Sequence, residues 1–426
     1  MISRKALLRV TLFAATAVLL SGCVRLTIAW APLTPKGQEA APALLGPLAD
    51  SGAIDSRAAW ESSRRDLIRE ELQRQIYGYL PEKSRTEVLD HRIIDESAFS
   101  GIGVFEEFDV AVQPVFGTGQ APTARFTMAV LSPKNVKGPV PVIMGETFCP
   151  RWNAIPHPDA KAPSGAEIGA EQPFIIRNVF GRYICMPPLE MILDEGFALA
   201  VVAATDVVPD HGEAGLNALN RLAAGHDDPG TRWGAIAAWG WTFSRMVDVL
   251  EAEERFDGER LVAYGHSRYG KAALVAGAFD DRIAGVIAHQ SGTGGASLNR
   301  KKSGESIEQI TSSFPHWFAS NYATYADSTG DLTVDQHHLL ALLAPRPVML
   351  GNARRDVWSD PNGTFKAAEG ARPIYALYGS QGLTAERLDT FRPNDDVSFW
   401  LRPGTHGVVE EDWPAFLAFL GAHFGD

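Results

Sequence analysis

The sequence has few cysteines and no closely spaced pair of them. Cys23, Cys149 and Cys185 are the three cysteines of the 426 residues, and no two of them stand in a C-x-x-C arrangement. The histidines are scattered along the chain. Structural zinc sites use closely spaced Cys and His ligands, so no metal site is expected, and no cofactor is predicted.

Positive charge is also scarce. The chain carries 39 Lys and Arg against 51 Asp and Glu, a formal net charge of −12, and no basic patch stands out. A nucleic acid partner is therefore not expected, since nucleic-acid-binding proteins concentrate Lys and Arg on one surface. The 45% hydrophobic and 21% charged residues are typical of a globular protein.

The apolar run at the N-terminus is too short to span a bilayer comfortably. It covers residues 10–20, follows a positively charged start and precedes the sequence LSGC at residues 20–23. This pattern resembles a bacterial lipobox, so we expect residues 1–22 to be a lipoprotein signal peptide and Cys23 to be acylated. An ordinary signal peptide and an anchor helix are the alternatives. The protein is expected to be exported to the periplasm or cell surface, touching the membrane only through its lipid anchor.

A Pro-, Ala- and Gly-rich stretch follows the lipobox. We predict that residues 23–55 form a tether and that residues 56–426 form one catalytic domain. Export would place Cys149 and Cys185 in an oxidising compartment. Whether they form a disulfide or remain two buried thiols stays open, because the distance between them cannot be read from the sequence.

The order of apolar segments predicts an α/β fold. Residues 105–115 and 124–133 read as antiparallel strands, and apolar strands then alternate with helical segments to the C-terminus. Such alternation indicates a mostly parallel sheet with helices on both faces.

One short stretch carries the first sign of chemistry. In AYGHSRYGKAAL, residues 263–274, an apolar strand ends at Gly265 and a helical segment begins just after Ser267. In α/β-hydrolases the nucleophilic serine occupies such a turn, usually as G-x-S-x-G. Here Tyr269 replaces the second glycine, which follows as Gly270, so an ordinary turn is the competing interpretation.

Partners for the serine follow in the order that this fold uses. An acid is expected after the strand at residues 346–350, where Asp356 and Asp360 are both candidates, and His406 lies in a turn before the last helix. A serine hydroxyl needs a base to take its proton and an acid to orient that base. The order serine, acid, histidine predicts an α/β-hydrolase fold and a serine hydrolase.

The stretch around Ser267 also resembles a known family, the glucuronoyl esterases of carbohydrate esterase family 15, bacterial type. That family carries G-[CH]-S-R-x-G-K at its nucleophile. Further similarity lies in WGAIAAW (233–239), GESIEQITSSFPHWF (304–318), DQHHLLALLAPRP (335–347), DVWSDPNGTF (356–365) and THGVVEEDWPAFLAF (405–419). The resemblance extends from about residue 60 to the end of the chain, and the S-R-x-G-K signature is not general to the fold.

The resemblance implies an activity and a set of catalytic residues. The family cleaves esters between the carboxyl group of (4-O-methyl-)D-glucuronic acid on xylan and lignin alcohols. By residue-to-residue similarity, Ser267 would be the nucleophile, His406 the base and Arg268 the residue that stabilises the oxyanion. A guanidinium fixed beside the serine suits that last role, because positioned donors stabilise a developing oxyanion.

The resemblance also implies three sugar contacts. Lys271 would hold sugar hydroxyls, and Glu305 and Trp358 would contact the sugar as in bacterial members of the family. A cation at a helix N-terminus is disfavoured by the helix dipole, so the positions of Arg268 and Lys271 call for a reason other than helix stability.

One departure concerns the triad acid. Many members of the family have a glutamate in an E-S-G motif after the strand that follows the nucleophile, whereas this chain has Gln290. Glutamine cannot hold a negative charge against an imidazolium. Asp356 is therefore the preferred acid, since Asp360 precedes Pro361 and suggests a structural turn. The segment 146–186 matches the family only loosely.

Three functions follow from these observations. The first is a monomeric, lipid-anchored esterase acting on glucuronate esters. The second is a related hydrolase acting on another sugar or uronate ester. The third, favoured only by Gln290, is a non-catalytic sugar-binding lipoprotein.

Overall fold

The computed structural model describes residues 43–44, 54–119, 121–170, 172–300 and 303–425. The predicted signal peptide (1–22), the acylation site Cys23 and most of the predicted tether lie outside these residues. The assignment of residues 56–426 to one catalytic domain stays a prediction. Among the described residues, no helix combines the length and the apolar character needed to cross a membrane.

A single mixed sheet organises the described chain. Its strands are β1 (Lys83–Ser97), β2 (Gly103–Val115), β3 (Ala124–Pro133), β4 (Val140–Glu146), β5 (Ala198–Val202), β6 (Phe256–His266), β7 (Gly285–His289), β8 (Val348–Ala353) and β9 (Val397–Arg402). They lie in the order β1-β2-β3-β5-β4-β6-β7-β8-β9. Antiparallel pairing runs from β1 to β5, and every later neighbour is parallel.

Helices cover the sheet on both faces. Those of six residues or more are α1 (Arg65–Leu72), α2 (Phe174–Phe180), α3 (Leu189–Asp194), α4 (Gly212–Leu222), α5 (Ala235–Leu250), α6 (Arg268–Phe279), α7 (Ile307–Ser313), α8 (Gln336–Ala341), α9 (Pro361–Leu377) and α10 (Asp412–Phe424). Helix α1 is flanked by π-helical turns, Trp60–Arg64 and Gln73–Tyr77. Shorter helical turns are Arg57–Ala59, Ala98–Gly101, Arg151–Ala154 and Ser320–Ala323, and 3-10 turns are Ala204–Asp206, Thr329–Asp331 and Val357–Ser359.

Two hydrophobic cores lie on opposite faces of the sheet. Along β6, Leu261 and Ala263 belong to the core that contains α5, α6, α8 and α9, whereas Val262 and Tyr264 belong to the core with α3 and α10. Successive side chains of a strand point to opposite faces, so a strand buried on both sides reads as a continuous apolar run. The predicted fold, a mostly parallel sheet with antiparallel N-terminal strands, is confirmed.

The parallel part of the sheet brings the carboxyl ends of its strands to one edge. Ser267 follows β6, Gln290 follows β7, Asp356 lies three residues after β8 and His406 four residues after β9. Ligand sites of open α/β sheets lie at this edge.

Candidate active site

Ser267 occupies a sharp corner between β6 and α6. Its backbone is at φ 55° and ψ −124°, in the region that favours glycine, and its amide donates to the carbonyl of His289 at 2.8 Å. Such a conformation costs about 1–3 kcal/mol and is found mostly at functional sites. It exposes the Ser267 side chain at the edge of the sheet.

Close packing explains the late second glycine. A Cβ at Gly265 would overlap the carbonyl oxygen of Tyr269, so the corner closes tightly only with glycine there. Tyr269 itself is buried, and its ring packs 4.7 Å from that of Phe148. A Cβ at Gly270 would lie 3.0 Å from the carbonyl oxygen of Gly265. The second glycine is therefore needed at position 270, where the helix passes close to Gly265, and position 269 can carry a side chain that packs in the core.

His406 lies against Asp356. The Nδ1 atom of His406 is 2.7 Å from Oδ2 of Asp356. Burial opposes ionisation of Asp356, but the hydrogen bonds and charge of His406, together with Ser359, lower the pKa of the carboxyl below its usual range. The aspartate is therefore ionised at neutral pH and able to orient the imidazole.

Asp360 has a different position. Its carboxylate accepts a hydrogen bond from the amide of Gly363 at 3.0 Å and caps the N-terminus of α9. A second contact joins it to the hydroxyl of Ser297 at 3.4 Å. Of the two candidate aspartates, the structure thus places Asp356 at His406 and Asp360 at a helix cap.

A cavity of about 780 Å³ opens beside the corner. Ser267, Arg268 and His406 all line it. Much of its remaining wall is apolar and comes from the segment 148–186, including Phe148, Ile176, Phe180, Ile184 and Met186. Concave, mostly apolar sites with a few convergent polar groups are typical of small-molecule binding.

Arg268 is held beside the serine by partners that the sequence did not reveal. Its Nε is 3.0 Å from Oδ2 of Asp210, and its guanidinium lies 4.7 Å from the ring centre of Phe148. Asp210 in turn accepts from the indole nitrogen of Trp317 at 2.8 Å and contacts His316 at 3.0 Å. Asp210 lies nearly sixty positions before Arg268, so no local pattern links the two.

The three expected sugar contacts lie along one connected path, although none of them lines the large cavity. Lys271 is buried and donates to the backbone carbonyls of Ser291 and Thr293 at 2.5 and 2.6 Å. The Thr293 hydroxyl donates to the carbonyl of Glu305 at 2.7 Å, and the Glu305 amide donates to the carbonyl of Trp358 at 3.1 Å. Trp358 is half exposed, which leaves its indole open to a ligand.

A row of buried polar groups lies beneath the site. The Nδ1 atoms of His266 and His289 are 3.1 Å apart, and Nε2 of His289 is 3.4 Å from Oδ1 of Asp412. The Nε of Arg402 donates to both Asp412 oxygens at 2.9 Å. Burial, with the nearby His406 and His289, lowers the pKa of His266 well below its usual value, so its ring is neutral.

Glu146, at the end of β4, is, like Asp210, a residue near the site that the sequence did not predict. Both carboxyl oxygens are buried, and neither has a hydrogen-bond partner within the described residues. It shares a small cavity of about 30 Å³ with His266 and Tyr264. Burial raises the pKa of Glu146 well above its usual value, because no partner in the described part of the chain offsets the loss of water around the charged form.

A disulfide closes the wall of the large cavity. Cys149 and Cys185 are bridged, with 5.3 Å between their Cα atoms, which settles the alternative left open by the sequence. The bridged segment also contacts the histidine turn, because the Val408 amide donates to the carbonyl of Phe180 at 2.8 Å. Neither Gly181 nor Gly407 leaves room there for a Cβ atom.

Known proteins resemble this chain in sequence and in structure. A family model described as glucuronyl esterase, fungi, matches residues 194–379. A CE15 esterase from a marine bacterial metagenome, described as promiscuous, superimposes with a TM-score of 0.76 and 28% identity over 93% of this chain and 99% of that chain. Carbohydrate esterase MZ0003, from an unknown prokaryotic organism, is 31% identical over 389 residues, 88% of each protein.

The chain belongs to carbohydrate esterase family 15.

A glucuronoyl esterase from Solibacter usitatus gives a further match, with a TM-score of 0.74, 29% identity, and coverage of 93% of this chain and all of that chain. The family predicted from the motifs is therefore confirmed, and so is its class of activity, carboxylic ester hydrolysis. The individual roles of the site residues stay predictions.

The buried carboxylate of Asp412 makes the stability of this family 15 enzyme depend on pH. Burial opposes the charge of Asp412, but His289 and Arg402 lower its pKa to about 2, from 3.8. A lowered pKa stabilises the folded state above the unfolded pKa, and this stabilisation is lost as pH falls from about 4 towards 2. Asp412→Asn should therefore lower the free energy of unfolding by about 2 kcal/mol at pH 7.

Urea unfolding at pH 7 and pH 3 measures this difference. The gap between wild type and Asp412→Asn should narrow at pH 3, whereas the exposed Asp327→Asn control should follow wild type at both values. An equal difference in the free energy of unfolding at both pH values would mean that the charge of Asp412 does not contribute to stability.

Proposed function

We propose that this protein is a serine esterase that hydrolyses esters of (4-O-methyl-)D-glucuronic acid, as in the links between glucuronoxylan and lignin. The observation that carries the proposal is the shared cavity: Ser267 on its strained corner, and His406 bonded to Asp356, face the same space. The family model for glucuronyl esterases adds support for the acid part of the ester.

The geometry fits a two-step acyl transfer. Ser267 Oγ attacks the ester carbonyl while His406 takes its proton, and Asp356 stabilises the imidazolium that forms. The oxyanion would be held by the guanidinium of Arg268 and by amides in the first turn of α6, which have no acceptor within the helix. His406 then protonates the departing alcohol, and a water molecule activated by the same histidine releases glucuronic acid from Ser267.

The two halves of the ester would occupy different surroundings. The apolar wall contributed by residues 148–186 suits an aromatic alcohol. Lys271, Glu305 and Trp358 are proposed to recognise the sugar, the polar groups through its hydroxyls and the indole through its ring. No cofactor takes part in this scheme.

The location of the enzyme is also a proposal. We expect an exported protein, tethered through a lipid on Cys23 and acting as a monomer. The disulfide between Cys149 and Cys185 supports export, because such bridges persist mainly in oxidising compartments.

The first test concerns the catalytic groups. Ser267→Ala should lower kcat on benzyl glucuronate by roughly 10⁶-fold and Asp356→Asn by about 10⁴-fold, because the first lacks the nucleophile and the second holds the wrong imidazole tautomer. Asp360→Asn is the matched control and should keep most of the activity, since asparagine caps a helix as well as aspartate does. An inactive Asp360→Asn beside a fully active Asp356→Asn would show that the acid is misassigned.

The second test concerns substrate choice. The kcat/KM for benzyl glucuronate should exceed that for p-nitrophenyl acetate and for methyl galacturonate by about 10²-fold or more, because a site that bonds sugar hydroxyls is left with unpaired polar groups by an analogue. Trp358→Ala should raise KM for benzyl glucuronate and leave p-nitrophenyl acetate hydrolysis unchanged. Equal efficiency on all three esters would instead favour a hydrolase of another ester.

The third test concerns the anchor. Mass spectrometry of protein isolated from its native host should find Cys23 as an acylated N-terminal residue, and Cys23→Ala should abolish the modification. Several acyl chains are needed for stable attachment, so the variant should also leave the membrane fraction. An unmodified N-terminus at any other residue would exclude the lipoprotein.

A further inference from the structure

We propose that Gln290 is a positioning residue that fixes the turn carrying His406 through its uncharged amide. This inference rests on the proposed function, because it assigns the amide a part in placing the proposed base. Gln290 stands where many members of the family have an acidic residue. Its role here differs from that of a triad acid, because it acts through hydrogen bonds and not through charge.

The amide of Gln290 bonds both neighbours of His406. The backbone N–H of Gly407 donates to Gln290 Oε1 at 2.8 Å, and Gln290 Nε2 donates to the carbonyl of Thr405 at 3.3 Å. Gln290 is 1% exposed, so its side-chain amide is shielded from bulk water. Fixing the peptide groups on both sides of His406 limits the directions in which its ring can point.

The backbone of Gln290 is fixed to the opposite side of the site. Its φ is 50°, and its amide donates to the carbonyl of Gly351 in β8 at 2.7 Å. Its own carbonyl accepts from the hydroxyl of Ser359 at 3.4 Å, and the Ser359 amide contacts Oδ1 of Asp356 at 3.4 Å. One residue therefore joins the turn of the proposed base to the turn of the proposed acid.

The uncharged amide matches these partners better than a carboxylate would. Gly407 offers a donor and Thr405 an acceptor, and a side-chain amide supplies both counterparts. An ionised carboxylate could accept from Gly407 but would face the Thr405 carbonyl without a proton to donate. Arg402 supplies a second donor to that carbonyl, with Nη2 at 3.1 Å, so the turn would be weakened rather than released.

Two substitutions separate a positioning role from the alternatives. Gln290→Leu removes both bonds at nearly constant volume, and Gln290→Glu keeps the acceptor for Gly407. A misplacement of about 1 Å costs roughly 10²-fold in rate, so Gln290→Leu should lower kcat on benzyl glucuronate by about that factor and leave KM within about twofold. Gln290→Glu should fall between Gln290→Leu and wild type.

Gln75→Leu is the matched control. Gln75 is also fully buried and accepts from a backbone amide, that of Thr333 at 3.0 Å, but it lies in the turn after α1. Its loss should reduce stability without changing kcat. Equal kcat for Gln290→Leu and wild type, or a Gln290→Glu variant faster than wild type, would overturn the positioning role.

Two measurements test the positioning role without using the proposed glucuronate substrate. The rate at which a fluorophosphonate labels Ser267 depends on the serine and histidine but not on glucuronate, and it should fall in the order wild type, Gln290→Glu, Gln290→Leu. Hydrogen exchange at the Gly407 amide needs no activity at all, and it should speed up in Gln290→Leu only.

The outcomes then distinguish the two proposals. Labelled wild-type protein without glucuronate hydrolysis would reject the proposed substrate and leave the positioning role measurable. Wild-type protein that is not labelled would reject the serine mechanism. Unchanged exchange at Gly407 in Gln290→Leu would reject the positioning role whatever the substrate is.

Discussion

The left-handed backbone at Ser267 is the constraint on which the active site depends. A residue with φ near 55° is strained by about 1–3 kcal/mol, and this strain persists only because its surroundings allow no other path. The buried strand β6 ends at the corner, α6 starts from it, and the amide of Ser267 is bonded to β7. The two cores on the faces of the sheet hold these elements in place and so offset the strain.

Several ionisable side chains are buried beneath this corner, and few of them carry a charge. His266 is buried and neutral, burial disfavours the charged form of Glu146, and Asp412 is charged because His289 and Arg402 lie against it. Burying an unpaired charge is costly, and burying a paired one is acceptable when the partner is fixed. The ring of the proposed base His406 therefore lies beside an uncharged imidazole, that of His266, with 4.6 Å between the ring centres.

Much of the fold could be predicted from local sequence, because local rules decide it. The strand expected at residues 124–133 has the bounds of β3, since an apolar run ends at a proline there. Strand β1, residues 83–97, was not expected: it is an edge strand rich in charged residues with mostly exposed side chains, and only pairing with β2 defines it. The bounds of helix α9 could not be predicted either, because Pro373 lies inside it and prolines usually end a helix.

The chain order of the proposed catalytic residues could be predicted, but the residues that hold them in place could not. The sequence places a serine, an acid and a histidine after successive strands, and the choice of Asp356 over Asp360 agrees with the observed contacts. Asp210 and Glu146 could not be predicted, because their roles depend on which distant residues the fold places around them. No spacing rule connects Asp210 to Arg268, and no residue type reveals that Glu146 is buried without a partner.

The close approach of Gly181 to Val408 and of Gly407 to Phe180 bears on how this enzyme could be redesigned. The two glycines let the disulfide-bridged segment rest directly on the histidine turn, and a side chain on either would push the two apart. A library that varies the apolar wall to change alcohol preference would need both glycines and the bridge kept constant. Ile176 and Arg177 on α2 line the cavity and are the positions to vary. The same wall thus combines glycines that must be kept, where it meets the histidine turn, with side chains that line the cavity and can be varied.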